Sequence, residues 1–128
     1  MSAKQIRPVH WIGGSYKDFR TFPDLVQDEM GFALYQAQIG RLHSSAKPLK
    51  GFSGASVVEI VSDHQGDTYR SIYTVKFHNA IYVLHAFQKK SKKGIKTPQA
   101  EIDLIRRRLR TAEEDYNAIS GTPNEKEN

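Results

Sequence analysis

The sequence predicts an α+β fold: a small, largely antiparallel sheet with N-terminal helices packed on it and a C-terminal helix, in the order β-α-α-β-β-β-α. Three observations carry this expectation. Ala55–Ser62, Tyr69–Phe77 and Ile81–Phe87 are short runs rich in β-branched and aromatic residues, joined by connections too short for anything but antiparallel neighbours. Two other stretches, Pro23 to Gly40 and Ile102 to Tyr116, repeat apolar residues every three or four positions, the period of a helix with one buried stripe. The length of 128 residues fits one core, so residues 1–119 are expected to form a single domain and residues 120–128 a disordered tail.

The elements follow in chain order. Arg7–Ile12 (RPVHWI) alternates as a short strand and is closed by Gly13-Gly14. Ser15 followed by Asp18 resembles a capping box and opens a short helix that Pro23 interrupts. The long helix then presents Phe22, Leu25, Val26, Met30, Ala33, Leu34 and Ala37 as a stripe. Gly31 sits inside it at a cost of about 1 kcal/mol relative to alanine, which predicts close packing at that point. Arg41–Gly54 (RLHSSAKPLKGFSG) reads as a loop. DHQGD (Asp63–Asp67) supplies a hairpin turn, and His78-Asn79 makes the next one. By alternation His85 and Phe87 share a face with Ile81 and Val83, and Arg70 shares one with Ile72 and Thr74. Thr97-Pro98 is an N-cap followed by proline at the first helical position, and Ile102, Ile105, Leu109, Ala112 and Tyr116 form the stripe of the last helix.

Charge is distributed unevenly. From Gln88 to Arg110 nine Lys or Arg stand against two acids, a net +7, which leaves −2 for the other 105 residues of a chain whose total is +5. Such polarisation is the footprint of a phosphate-backbone partner. Five lysines (Lys89, Lys90, Lys92, Lys93, Lys96) crowd the exit of the last strand, where a rigid frame presents them. The antiparallel order sets the start of the Tyr69 strand level with that exit, so Arg70 is expected near Gln88, Lys89 and Lys90. There its planar guanidinium is suited to a phosphate and to negative charge growing on phosphorus. His85 is a candidate base, with a satisfied interfacial histidine as the alternative; Phe87 is a core residue or a stacking platform. Lys47 and Lys50, in KPLKG, join the site only if their loop folds toward it.

Several classes are excluded or disfavoured. There is no cysteine, so disulfides and thiolate metal sites are excluded, and the five scattered histidines show no ligand spacing. No metal or cofactor is expected. No apolar run approaches the length of a membrane helix and the N-terminus lacks the apolar core of a secretory signal, so a cytoplasmic protein is expected.

The run from Lys47 to Leu109, with KPLKG, the Tyr69-Arg70 pair and YVLHAFQKKSKKG leading into TP, resembles the phage-related HigB-type toxins of the RelE/ParE superfamily. The helix FPDLVQDEMGFALYQAQIGR (Phe22–Arg41) extends the resemblance to roughly Val9–Tyr116. It implies a RelE-like α+β toxin that stops translation by cutting mRNA, usually on the ribosome, and that is neutralised by a small helix-turn-helix antitoxin. By position, Arg70 matches the arginine used at the scissile phosphate, and Lys89 and Lys90 match the basic residues ending the last strand. The chain departs from the pattern in having no tyrosine or histidine directly after that strand. The expected chemistry is metal-free attack of the substrate's own 2′-OH on the adjacent phosphorus, leaving a cyclic phosphate and a 5′-OH. Arg70, Lys89 and Lys90 would stabilise the developing charge, and His85 or a lysine would take the proton. Lys92, Lys93, Lys96, Arg106, Arg107 and Arg110 would grip backbone phosphates. A ParE-like protein that binds gyrase and a non-catalytic nucleic-acid-binding module are the alternatives.

Overall fold

The structure, a computed structural model, describes residues 5–52, 56–89 and 97–119. Its elements are β1 (Val9–Trp11), α1 (Ser15–Phe19), α2 (Asp24–Gln38), β2 (Ala46–Pro48), β3 (Val57–His64), β4 (Asp67–Thr74), β5 (Ile81–Lys89) and α3 (Gln99–Ile119). The fold is α+β, with a five-stranded sheet in the order β1-β5-β4-β3-β2. Only β1 runs parallel to its neighbour, β5; the other pairs are antiparallel. The expected tail, residues 120–128, lies outside the described residues, as do Lys90, Lys92, Lys93 and Lys96.

The sheet is covered on both faces. Phe19, Phe22, Val26, Met30, Ala33 and Ala37 of α1, α2 and their connection pack on Val58, Ile60, Tyr73, Ile81 and Val83. On the other face Ile105, Leu109 and Ala112 of α3 pack on Val57, Ile72, Tyr82 and Leu84. The predicted stripe of α3 is therefore the buried one, since Ile102 and Tyr116 join the same cluster.

Four local expectations need correction. The loop between α2 and β3 contains β2, a three-residue strand with Lys47 and Pro48 on the sheet edge, where proline's missing N–H costs no ladder bond. The β3–β4 turn is only Gln65-Gly66, with φ of 50° and 88°; this left-handed pair lets the strands extend to His64 and Asp67. At α1, Gly14 occupies the cap, and Ser15 is buried with its Oγ donating to the Val83 carbonyl at 3.3 Å rather than closing a capping box. Gly31 is exposed, and among the described residues nothing lies within 4 Å of where a side chain would begin, so the close packing expected there is not found.

One irregularity decides how the site is built. Ile72 pairs with His85, but the next residue, Tyr73, pairs with Val83, so Leu84 is an extra residue in β5. This bulge resets the alternation. Ile81 and Val83 face α1 and α2, whereas His85 and Phe87 face α3, contrary to the shared face predicted for all four.

Candidate active site at the open end of the sheet

The lower part of β4 and the end of β5 lie side by side on the α3 face. Arg70 stands opposite Phe87, and Lys89 stands opposite Thr68, one side-chain repeat further along. Arg70, Phe87 and Lys89 therefore share one patch with His85, and β5 ends at Lys89. The predicted proximity of Arg70 to the end of β5 holds in this register.

The state of Arg70 differs from the expectation. Its guanidinium is buried and ion-paired with Glu59 of β3, with the two side chains only 6% and 12% exposed. Glu59 lies opposite Ile72, two residues along from the Val61–Arg70 pair, so the two side chains meet diagonally on the face that carries α3. A guanidinium held between a sheet and a helix needs a carboxylate, because burying the charge alone would cost several kcal/mol. Glu59 also accepts a hydrogen bond from Thr97 Oγ1 at 3.1 Å, which ties the approach to α3 to the middle of the sheet. Arg70 is thus a buried member of an internal ion pair, not a guanidinium presented to a phosphate.

His85 is equally engaged. Its Nε2 lies 2.5 Å from Glu101 Oε1, and Arg108 Nη1 lies 3.4 Å from its Nδ1. Because Arg108 can only donate, Nδ1 is the acceptor and Nε2 carries the proton given to Glu101. The ring stacks on Phe87 at 4.7 Å between centroids, tilted by 24°. Arg108 also donates to the Leu84 carbonyl at 3.0 Å, so the bulge that turns His85 toward α3 is fastened there. Burial lowers the Arg108 pKa from the ordinary arginine value, and Asp18 opposes that shift. Beside this group opens a cleft of about 280 Å³, lined by Asp18, Thr21, His85, Phe87, Gln88 and Glu101 among others.

The remaining candidates divide. Lys47 is exposed and stands opposite Glu59 across the β2–β3 ladder, so this part of the KPLKG segment does fold beside the Arg70 pair. Lys50 instead borders a second cleft, of about 390 Å³, with Gly51 and Phe52. There Arg106 donates to the Gly51 carbonyl at 3.2 Å and lies over the Phe52 ring at 4.6 Å. Arg107 and Arg110 are exposed on α3, outside either cleft. Among the described residues no group of three His, Cys, Asp or Glu side chains is placed to hold a metal ion, and no helix is long and apolar enough to cross a membrane.

Glu59, Glu101 and Arg108 were not singled out by the sequence reading. The signal for Glu59 is present, since VVEIV places one acid inside an otherwise apolar strand. Glu101 and Arg108 carry no such mark, because on a charged helix the residue that turns inward looks like its solvated neighbours.

Fold and site together define a three-layer α+β domain whose charged cleft sits where its last strand leaves the sheet. The chain belongs to the family described as Phage derived protein Gp49-like, whose model matches residues 17–110. No curated protein matches it significantly. Among solved structures it is similar to a doubly substituted, free-state toxin RelE from E. coli, at 16% identity and a TM-score of 0.49 over 63% of this chain and 81% of that one. It is also similar to the toxin-antitoxin complex RelBE2 from Mycobacterium tuberculosis, at 14% identity and a TM-score of 0.44 over 71% of this chain and 100% of that one.

Proposed function

We propose that the chain is the toxin of a type II toxin-antitoxin system, of HigB type, and that it inhibits translation by cutting mRNA on the ribosome without a metal. Its antitoxin is a small helix-turn-helix protein. The observation that carries this reading is the gathering of His85, Phe87 and Lys89 on one face where β5 gives way to the lysine-rich segment. Membership of a phage-derived family and the resemblance of the KPLKG, Tyr69-Arg70 and YVLHAFQKKSKKG motifs support it.

Lys89, with Lys90 beyond it, supplies the charge that offsets a developing phosphorane, and Lys47, Lys92, Lys93 and Lys96 hold the flanking phosphates. His85 takes the 2′-OH proton once the incoming sugar displaces Arg108 from Nδ1, while Glu101 holds the opposite ring nitrogen. Arg70, locked to Glu59, is a positioning residue that sets the end of β4 and the entry to α3.

A second reading, a nucleic-acid-binding module without catalysis, is favoured by one fact: both Arg70 and His85 already hold carboxylates. Induction in a bacterial host separates the two. The nuclease reading expects growth arrest with new RNA ends, and a loss of about 100-fold or more in cutting for His85→Gln, the typical contribution of a general base. Undiminished growth together with salt-sensitive RNA binding would establish the second reading instead.

A further inference from the structure

Helix α2 exposes a surface that the other described elements leave largely open, with the His43 ring standing edge-on to Phe32 at 5.9 Å between centroids. Leu25, Phe32 and Tyr35 are 68%, 55% and 46% exposed. Their spacing of seven and three residues sets them along one side of the helix. Such a stripe is unusual on a helix whose opposite side is already buried against the sheet through Val26, Met30, Ala33 and Ala37. Gly31, at the middle of the helix, is exposed with open space around it. It weakens the helix and is not explained by packing inside the chain, but it leaves a notch in which another backbone can approach closely.

The charge of this surface selects what fits it. From Thr21 to Gly40 the chain carries Asp24, Asp28 and Glu29 and no Lys or Arg, although the whole sequence has a net charge of +5. Asp24 and Asp28 are exposed beside the apolar stripe, whereas Glu29 is occupied by the Ser62 hydroxyl at 2.6 Å. Two copies of this helix meeting across a two-fold axis would bring four exposed aspartates together with no cation on either helix to answer them. An anionic membrane surface would be repelled for the same reason.

We infer that the outer face of α2 is a docking surface for an amphipathic helix of another protein, one with leucine-like side chains on one side flanked by lysine or arginine. The partner helix crosses at Gly31, its apolar side chains enter between Leu25, Phe32 and Tyr35, and its cations meet Asp24 and Asp28. This is the helix-in-groove mode of recognition with an added charge filter. It stands independently of the ribonuclease reading, because no residue of the charged cleft takes part.

The test titrates the full chain into a labelled 18-residue peptide of leucine and lysine at helical spacing, with the same peptide carrying glutamate for lysine as control, and follows fluorescence anisotropy. The lysine peptide should bind at least about 10-fold more tightly, and Phe32→Ser should weaken it by about the same factor, as removal of a central aromatic anchor does. Asp24→Lys with Asp28→Lys should reverse the preference between the peptides. Gly31→Gln should raise the thermal unfolding midpoint of the chain while weakening the peptide, a combination that general damage to the fold cannot produce. Equal binding of both peptides, or affinity unchanged in Phe32→Ser, would overturn the inference. Self-association of the chain that Phe32→Ser abolishes would also overturn it, in favour of a second copy as the occupant.

Discussion

Arg70 shows how far a residue's register and its role can part. It lies on the predicted face beside the predicted strand end, yet the carboxylate of Glu59 claims it. Removing one member of a buried pair leaves the other uncompensated, so Arg70→Ala should cost about 3–5 kcal/mol in urea unfolding, whereas Glu59→Met with Arg70→Leu should recover most of that loss. A non-toxic Arg70→Ala therefore reports folding as much as chemistry, and the paired substitution tells them apart. Tyr73 offers a second test at this scale. It is fully buried, its hydroxyl meets no hydrogen-bond partner among the described residues, and burial pushes its pKa up to about 12. The neutral phenol is favoured in the fold, so its contribution is intact below the ordinary value near pH 10 and is lost as pH rises through about 12. Tyr73→Phe should stabilise the chain by about 1 kcal/mol at neutral pH and flatten stability over that alkaline window, as read by thermal unfolding against pH.

At the scale of elements, the legible parts are those whose pattern is set by burial alone. The stripe of α3, the apolar runs of β3, β4 and β5, and the stripe of α2 apart from Leu25 read correctly because these residues must leave water; Leu25, expected in the α2 stripe, is 68% exposed on the opposite side of the helix. What escaped was local. The bulge at Leu84 inserts a residue without interrupting the apolar run, so counting by twos put His85 on the wrong face. Strand β2 is too short and too polar to signal itself, and it pairs only because β3 offers an edge. In the sequence Arg7 looks like no more than the start of a strand, but its guanidinium donates to the Ala37 carbonyl at the end of α2 and to the Phe77 carbonyl, both at 2.8 Å. It closes the C-terminus of α2 and fixes the β4–β5 connection at once. Arg7→Ala should cost about 1.5–3 kcal/mol, the range for hydrogen bonds made by a charged group. Hydrogen exchange should quicken at residues 36–40 and 75–80 before it does in β3; uniform quickening would contradict this local role.

Across the whole molecule the two faces of the sheet divide the work. Helix α2 is apolar and acidic on its outside, whereas the α3 face holds the carboxylates paired with Arg70 and His85 and presents Arg106, Arg107 and Arg110 exposed on α3. The +7 segment was visible in the sequence, and so was its position at the end of a strand. The pairing of Arg70 with Glu59 and of His85 with Glu101 was not, because those contacts cross 11 and 16 residues of chain and the second depends on which way the bulge turns β5. The central claim is that this face cuts RNA, with His85 as the base. It is tested most directly by adding the purified chain to a cell-free translation reaction and determining the chemistry of the mRNA ends. The account predicts new fragments bearing a 5′-OH and a 2′,3′-cyclic phosphate, absent when His85→Gln replaces the parent; intact mRNA, or equal cutting by that variant, would contradict it.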